Sequence, residues 1–455
     1  MCNLVIIIAK VLVNPIYLKG APMERAILKD LIAWKKSPVR SPLVLCGARQ
    51  VGKTYTLKDF GSRFYSTCAY INLMSPDAKA LFAPGYNAKQ VLSDIGIYTH
   101  TKIAPGDTLV ILDEIQEVPE AISLMKDFKE SLPEQHVVAA GSYLGVAYHA
   151  GVSFPVGKVD LLDMYPLSFL EFLRALGEEE LAQTVSDLDL NTASRFSNRL
   201  DRLLRSYYFV GGMPEAVSNF VKGGEDYGAA RTVQSSLLTE YDRDFSKHIT
   251  NSREVERTRL AYDSIPTHLG RENHKFVFGH ITRGARAREY EIAIQLIVDS
   301  GLATRVYRVD KPMAPLRFYR DLSSFKLYLH DVGLLGCAME ISAADVLLSN
   351  KGLEEYKGAL TEQYVCQQLV SSGVTPYYWS ASSGTAEVDF VMRYGNAIAP
   401  LEVKAEENLN AKSLRLLCQE TGLHGYRTSM SGFREQDWLT NVPLWAVGAY
   451  FGNGR

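Results

Sequence analysis

Ser41 to Thr54 reads SPLVLCGARQVGKT, and the rest of the chain is interpreted outward from this stretch. Ser41 to Cys46 is a short apolar run of the kind that forms a buried strand. It leads directly into Gly47-Ala48-Arg49-Gln50-Val51-Gly52-Lys53-Thr54, after which a helix-compatible stretch continues to Phe64. A glycine at each end of such a loop lets successive backbone N–H groups turn into one concavity, which is what bound phosphates need. In this pattern Lys53 is expected to reach the β- and γ-phosphates of ATP, and the Thr54 hydroxyl to ligate Mg²⁺.

A metal held by one threonine lacks an anionic anchor, so a carboxylate is expected on a neighbouring strand. Thr108 to Leu112 is an apolar run ending in Asp113-Glu114. Asp113 is the expected metal residue, and Glu114 the group that polarises water for attack on the γ-phosphate. A third run, His136 to Ala140, ends in Gly141-Ser142, which places the Ser142 hydroxyl as a nucleotide sensor. Strands at Pro42, Tyr70, Leu109 and Val137 separated by helical patterns predict an α/β fold of P-loop NTPase type, a parallel sheet with ligand at the strands' carboxyl ends.

At roughly 150 residues per domain, 455 residues favour about three domains. With 47% apolar and 22% charged residues the chain can bury real cores, which excludes a disordered or collagen-like class. The formal charge of −2 leaves nucleic acid to be argued from local surfaces. Six scattered cysteines without a CxxC pair argue against a zinc knuckle or a disulfide framework. The longest apolar run near the start, Leu4 to Val13, is broken by Lys10 and is too short to span a bilayer, so a cytoplasmic protein without a membrane partner is expected.

The run Pro42 to Thr54, the LDEIQ of Leu112 to Gln116, the GSYLGV of Gly141 to Val146, the YPLSFLEF of Tyr165 to Phe172 and the GGMPEAV of Gly211 to Val217 together resemble the prokaryotic AAA-type ATP-binding proteins that carry an uncharacterised C-terminal region. The resemblance covers the chain from Met23 onward. It implies an AAA-type core with a helical lid over Pro166 to Glu240. The chain departs from that family at Gly157-Lys158, where arginine is frequent; lysine lacks the bidentate fork of a guanidinium. Arg49, Arg243 and Arg253 are candidates for a guanidinium at the phosphates. Residues 1–22 fall outside the resemblance and are expected to be a non-native or disordered extension, with Met23 as the initiator.

Beyond Arg253 the pattern is helix (Leu260, Ile265, Leu269), a second helix over Arg286 to Ser300, then a strand over Leu302 to Val309, the order of a winged helix. Lys275, Arg283, Arg286, Arg288, Arg305 and Arg308 supply basic side chains for DNA, diluted by Glu289 and Glu291. Further on, Ala386 to Arg393 and Ile398 to Ala405 have strand character around the turn signal Gly395-Asn396. Pairing Tyr394 with Ala397 sets Asp389 opposite Glu402, about 5 Å apart at Cβ, with Lys404 on the same face. Two opposed carboxylates and an ammonium suit metal-assisted phosphodiester hydrolysis, and Glu362 on a preceding helix is a third carboxylate. Glu387 shares the Asp389 face. The set is similar to the PD-(D/E)XK restriction-endonuclease-like superfamily, with Glu362, Asp389, Glu402 and Lys404 at its acids and lysine.

The expected domains are 23–240 for the ATPase core and lid, 241–318 for the winged-helix-like segment, and 319–455 for the restriction-endonuclease-like α/β region. The expected function is Mg²⁺-dependent ATP hydrolysis coupled to a DNA-binding or nuclease-like module, in a chain open to homo-oligomerisation. The alternative is a nucleotide-gated scaffold or sensor that binds a partner without cleavage.

Overall fold

The structure is a computed structural model that describes residues 17–18, 21–141, 157–249, 251–271, 274–347, 354–381, 386–406 and 410–452. The first sheet has five parallel strands in the spatial order Thr67–Asn72, Thr108–Asp113, His136–Gly141, Leu43–Cys46 and Asp160–Asp163. The four expected strands are present. The fifth, Asp160-Leu-Leu-Asp163, was not anticipated: as an edge strand it has one half-covered face and no apolar run. Helix Lys53–Phe64 seals one face of the sheet with Leu57 and Phe60, while Ala88–Tyr98 and Pro119–Ser131 seal the other with Val91, Ile95, Ile122, Met125 and Phe128. Parallel pairing brings the carboxyl ends Cys46, Asp113, Gly141 and Asp163 to one edge.

Helices Phe169–Ala175, Glu179–Ser186, Leu190–Ser194, Ser197–Val210, Pro214–Lys222 and Tyr227–His248 follow. The last of these corrects the expected boundary at residue 240, which falls inside one continuous helix. Tyr241 and Phe245 are buried on it, so the helix cannot be cut there without opening the core. Helices Ser252–Asp263, Ile265–Leu269 and Ala287–Asp299 come next, with Pro266 in the first turn of the middle one.

The second sheet has eight strands in the order Arg434–Glu435, Leu439–Pro443, Gly425–Ser429, Ala397–Val403, Glu387–Tyr394, Tyr377–Ser380, Ala303–Val309 and Arg320–Leu329. Strand Ala303–Val309, expected as a wing beside its helices, pairs antiparallel with Arg320–Leu329 and parallel with Tyr377–Ser380. The expected boundary at 318/319 therefore lies inside a hairpin, and the strand belongs to the sheet that holds the carboxylates. Helix Glu354–Ser371 packs on one face of this sheet and Lys412–Thr421 on the other. Tyr17–Leu18 pairs antiparallel with Ala21–Pro22, inside the stretch expected to be an extension; residues 1–16 and 19–20 lie outside the described residues.

Within the lid, two backbone segments approach closely at Gly212. Leu167 N–H donates to Gly212 O at 2.7 Å, and a Cβ at Gly212 would lie 2.1 Å from Leu167 O. Neither backbone can retreat, so Gly212→Ala is expected to lower stability by about 3 kcal/mol. Gly224→Ala, at φ +72° with open space around it, is expected to cost only about 1 kcal/mol. Urea unfolding of the two variants checks the difference.

Candidate nucleotide and carboxylate sites

The loop after Leu43–Cys46 is built from left-handed turns: Gly47 has φ 152°, Gln50 64° and Gly52 98°. Gly47 has a second reason to be glycine, because a Cβ there would lie 2.3 Å from Met164 O. Gly52 caps helix Lys53–Phe64 without a side-chain partner, which leaves the helix's first N–H groups facing the loop's concavity. Lys53 is 8% exposed, and its ammonium donates to the carbonyls of Gly47 at 2.8 Å and Ala48 at 2.7 Å. Burial pushes its pKa down to about 8, with Glu114 opposing that shift.

Thr54 and Asp113 are brought together as expected. The Thr54 hydroxyl donates to Asp113 Oδ2 at 2.8 Å, and the same oxygen accepts the Tyr70 hydroxyl at 2.8 Å. Tyr70, on the neighbouring strand, was not singled out from the sequence; burial and then the Asp113 charge keep it protonated. Glu114 follows in a left-handed turn (φ 55°), and Gln116 Nε2 donates to its Oε2 at 2.5 Å. Ser142 lies outside the described residues.

Three contacts clamp the loop from outside. Buried Arg25 donates to Val51 O at 2.7 Å and Tyr165 O at 2.6 Å, and pairs with Glu171 at 2.9 Å. The long helix Tyr227–His248 supplies the second: Arg49 pairs with Asp244 at 2.7 Å, Gln50 Nε2 donates to Glu240 Oε2 at 2.5 Å, and the Tyr241 hydroxyl donates to Arg49 O at 3.1 Å. Gly301 is the third, where a Cβ would sit 3.2 Å from Ala48 N. Arg49, a candidate for a phosphate-facing guanidinium, is thus committed to an acid of its own chain, and Lys158 pairs with Glu130 at 3.1 Å. Arg25 carried no sequence signal, since a lone arginine just before a helix reads as surface.

In the second sheet the hairpin register runs from Tyr394↔Ala397 to Phe390↔Leu401, as the turn predicts. The ladder stops one pair short of Asp389 and Glu402. Asp389 Oδ2 instead accepts the Val403 N–H at 2.7 Å, and Lys404 Nζ reaches Glu402 Oε1 at 2.7 Å. Burial and then Glu402 push the Asp389 carboxyl far up; burial also raises Glu402, against Lys404. Glu402 Oε2 is buried without a hydrogen-bond partner among the described residues.

Glu362 departs from the expectation of a free third acid. Its Oε1 accepts from Lys326 Nζ at 2.8 Å and from the Tyr328 hydroxyl, and its Oε2 lies 2.5 Å from His274 Nδ1. Burial pushes Glu362 up, but His274 and Lys326 together outweigh it and hold the carboxyl below its usual range. Lys326, fully buried, also pairs with Glu387 at 2.8 Å, and Lys275 approaches Glu387 at 3.5 Å. No group of three metal-ligating side chains forms among the described residues. Lys326 and His274 were missed because each lies far in sequence from the hairpin. The expected basic DNA face is depleted too: Lys275 faces Glu387, Arg308 pairs with Asp310 and Asp321, and Arg305 donates to the Tyr307 hydroxyl, leaving Arg283, Arg286 and Arg288 exposed.

Residues 39–173 match the family model described as an AAA domain. The match spans the glycine loop, Asp113 and Glu114, and it supports an AAA-type ATPase here. Residues 201–345 and 357–445 match two models described as domains of unknown function, DUF8612 and DUF4143; the first of these matches also runs across residues 318 and 319. None of the curated proteins matches the chain. Among solved structures, the Walker-type ATPase of Pyrococcus abyssi aligns at 13% identity and TM-score 0.42, over 70% of this chain and 96% of that one. The ORC1 protein of Aeropyrum pernix in complex with DNA aligns at 13% and 0.26, over 71% and 92%. Cdc6p from Pyrobaculum aerophilum aligns at 13% and 0.25, over 72% and 96%. No helix among the described residues is long and apolar enough to cross a membrane.

Because Lys326 neutralises two carboxylates in a buried site, Lys326→Met is expected to destabilise the protein by about 3–5 kcal/mol. Lys404→Met, at a partly exposed pair, is expected to cost about 1 kcal/mol or less. Urea unfolding separates the two, and adding Glu362→Gln to Lys326→Met should recover part of the loss.

Proposed function

We propose that the chain binds ATP with Mg²⁺ at Gly47 to Thr54 and hydrolyses it, and that nucleotide state is coupled to a C-terminal module that binds or cuts DNA. The observation that carries the first part is the 2.8 Å contact between Thr54 and Asp113 at the mouth of the glycine loop, with Glu114 one residue further on. A hydroxyl and a carboxylate side by side are hard oxygen donors of the kind Mg²⁺ takes, so these residues fit the ion. Bound there, it would neutralise charge on the phosphates.

The chain's own groups supply the remainder. Backbone N–H groups of Ala48 to Thr54 and the start of the following helix cradle the phosphates, and Lys53 turns from two carbonyls to the β/γ-oxygens. Glu114 takes a proton from the attacking water, held in its left-handed turn by Gln116. Arg25 and helix Tyr227–His248 keep the loop from collapsing when the ligand leaves.

For the C-terminal module, the unpartnered Glu402 Oε2 and the upward-shifted Asp389 favour a cation between them, with Lys404 beside it. The capture of Glu362 by Lys326, Tyr328 and His274 favours the second reading, a nucleotide-gated scaffold or sensor that recognises a partner without cutting. Incubation with supercoiled DNA and Mn²⁺ decides between them: cleavage lost in Lys404→Ala supports the nuclease, and equal background in both proteins leaves the sensor.

Lys53→Ala is expected to weaken ATP binding at least tenfold, whereas Glu114→Gln retains binding and loses about a hundredfold or more in turnover. Unchanged hydrolysis in both variants contradicts the assignment. Lys53 also predicts a pH dependence. In the free protein it is charged below about pH 8 and neutral above, while bound phosphate restores the charge. ATP affinity should therefore be flat below about pH 8 and fall above it, with proton uptake on binding, measurable by calorimetry in buffers of different ionisation enthalpy.

A further inference from the structure

The connection between strands Ala303–Val309 and Arg320–Leu329 projects from the second sheet and does not behave as an ordinary loop. Its neck is closed by the Asp310 N–H donating to Tyr319 O at 2.9 Å, and Leu316 is buried against the sheet's outer core. Both neck acids are consumed by Arg308, which pairs with Asp310 at 2.8 Å and Asp321 at 3.0 Å. Beyond that neutralised neck, Lys311 and Arg317 are exposed and have no acidic partner among the described residues. Phe318 on the same turn is 79% exposed with its ring edge-on to Tyr319, and Met313 at 52% and Leu322, on the following strand, at 64% are exposed too. Leaving a phenylalanine in water forgoes the free energy of its burial, and here the backbone around it is pinned by the Phe318 N–H donating to Pro315 O at 3.0 Å.

Beneath this turn lies a groove of about 790 Å³ between Ala314–Arg317, Val374–Tyr377 and the hairpin turn Arg393–Ile398. Its floor is apolar, from Pro315, Leu316, Tyr377, Ile398 and Phe451, and two guanidinium groups, Arg317 and Arg393, stand on its walls. Among the described residues no carboxylate lines it. Arg393 donates to Gly395 O at 3.0 Å through Nε, which fixes the side chain's base and leaves the rest of its guanidinium in solvent.

We infer that this groove and the Phe318 turn form a contact surface for an unpaired nucleic-acid strand. Arg317 and Arg393 hold its phosphates, while bases lie against the apolar floor and stack on Phe318. An acid-free, arginine-walled cleft demands an anionic occupant, and flat apolar surfaces beside the cations fit bases better than the polar outside of a duplex. The inference rests on the reading of the C-terminal half as a nucleic-acid module and names the surface and substrate class that the module uses.

The test is fluorescence anisotropy of the full chain with a labelled twenty-nucleotide oligo-dT and with a twenty-base-pair duplex, at low and moderate salt. Phe318→Ala is expected to weaken oligo-dT binding about tenfold, and the double charge reversal Arg317→Glu with Arg393→Glu by more, with a shallower salt dependence. All three side chains are exposed, so the variants should keep the wild-type melting profile. Oligo-dT binding by wild type that none of the substitutions changes overturns the surface while leaving a nucleic-acid module standing; no binding of either probe by wild type overturns both. Tighter binding to the duplex overturns the assignment to an unpaired strand. Conversion of an oligomer to monomer by Phe318→Ala at unchanged affinity overturns it in favour of a second copy.

Discussion

A loop that turns its backbone N–H groups inward needs negative charge at its centre, and much of the first half of the molecule is arranged around that requirement. Gly47, Gln50 and Gly52 adopt left-handed conformations that few side chains tolerate, and such strain persists only where the surroundings over-determine it. The surroundings do so here. Met164 O closes over Gly47, Arg25 grips Val51 O and Tyr165 O, and Tyr241 donates to Arg49 O. Lys53 donates its ammonium to two carbonyls of the loop itself.

The clamp also joins the two halves of the chain. Tyr241, which touches the loop, lies 3.4 Å from His330 Nε2, and His330 Nδ1 sits 3.0 Å from Leu302 O. Burial pushes His330 down to about 4, so it is a neutral packing group between loop and sheet. Asp331 beside it accepts the N–H groups of Gly212 at 2.6 Å and Leu334 at 3.0 Å, tying lid to sheet. These two residues follow directly on the strand whose Lys326 and Tyr328 hold Glu362. Glycine loop and carboxylate cluster therefore lean on the last residues of one strand and the two that follow it, within one continuous apolar core.

The glycine loop and its meeting with Asp113 were legible because local rules write them. A strand, a loop with two glycines, Lys53 and Thr54 sit in one run of sequence, and a second apolar run ends in Asp113. The hairpin register was legible for the same reason, since Gly395-Asn396 fixes the pairing of both strands. What stayed hidden depends on long-range packing. Arg25 meets Glu171 across 146 positions, Arg49 meets Asp244 across 195, and Lys326 reaches Glu362 across 36. The expected boundaries at 240 and 318/319 fall inside a helix and a hairpin for the same reason: helix Tyr227–His248 and strand Ala303–Val309 each join a neighbour that periodicity does not name.

The most direct test of the nucleotide site is calorimetric titration of the wild-type chain with ATP in Mg²⁺ and again in chelator. A single saturable site that weakens when the metal is removed is the expected result. Absence of heat at saturating ATP in Mg²⁺, with no rise in melting temperature, would contradict the assignment of Gly47 to Thr54 as the triphosphate cradle.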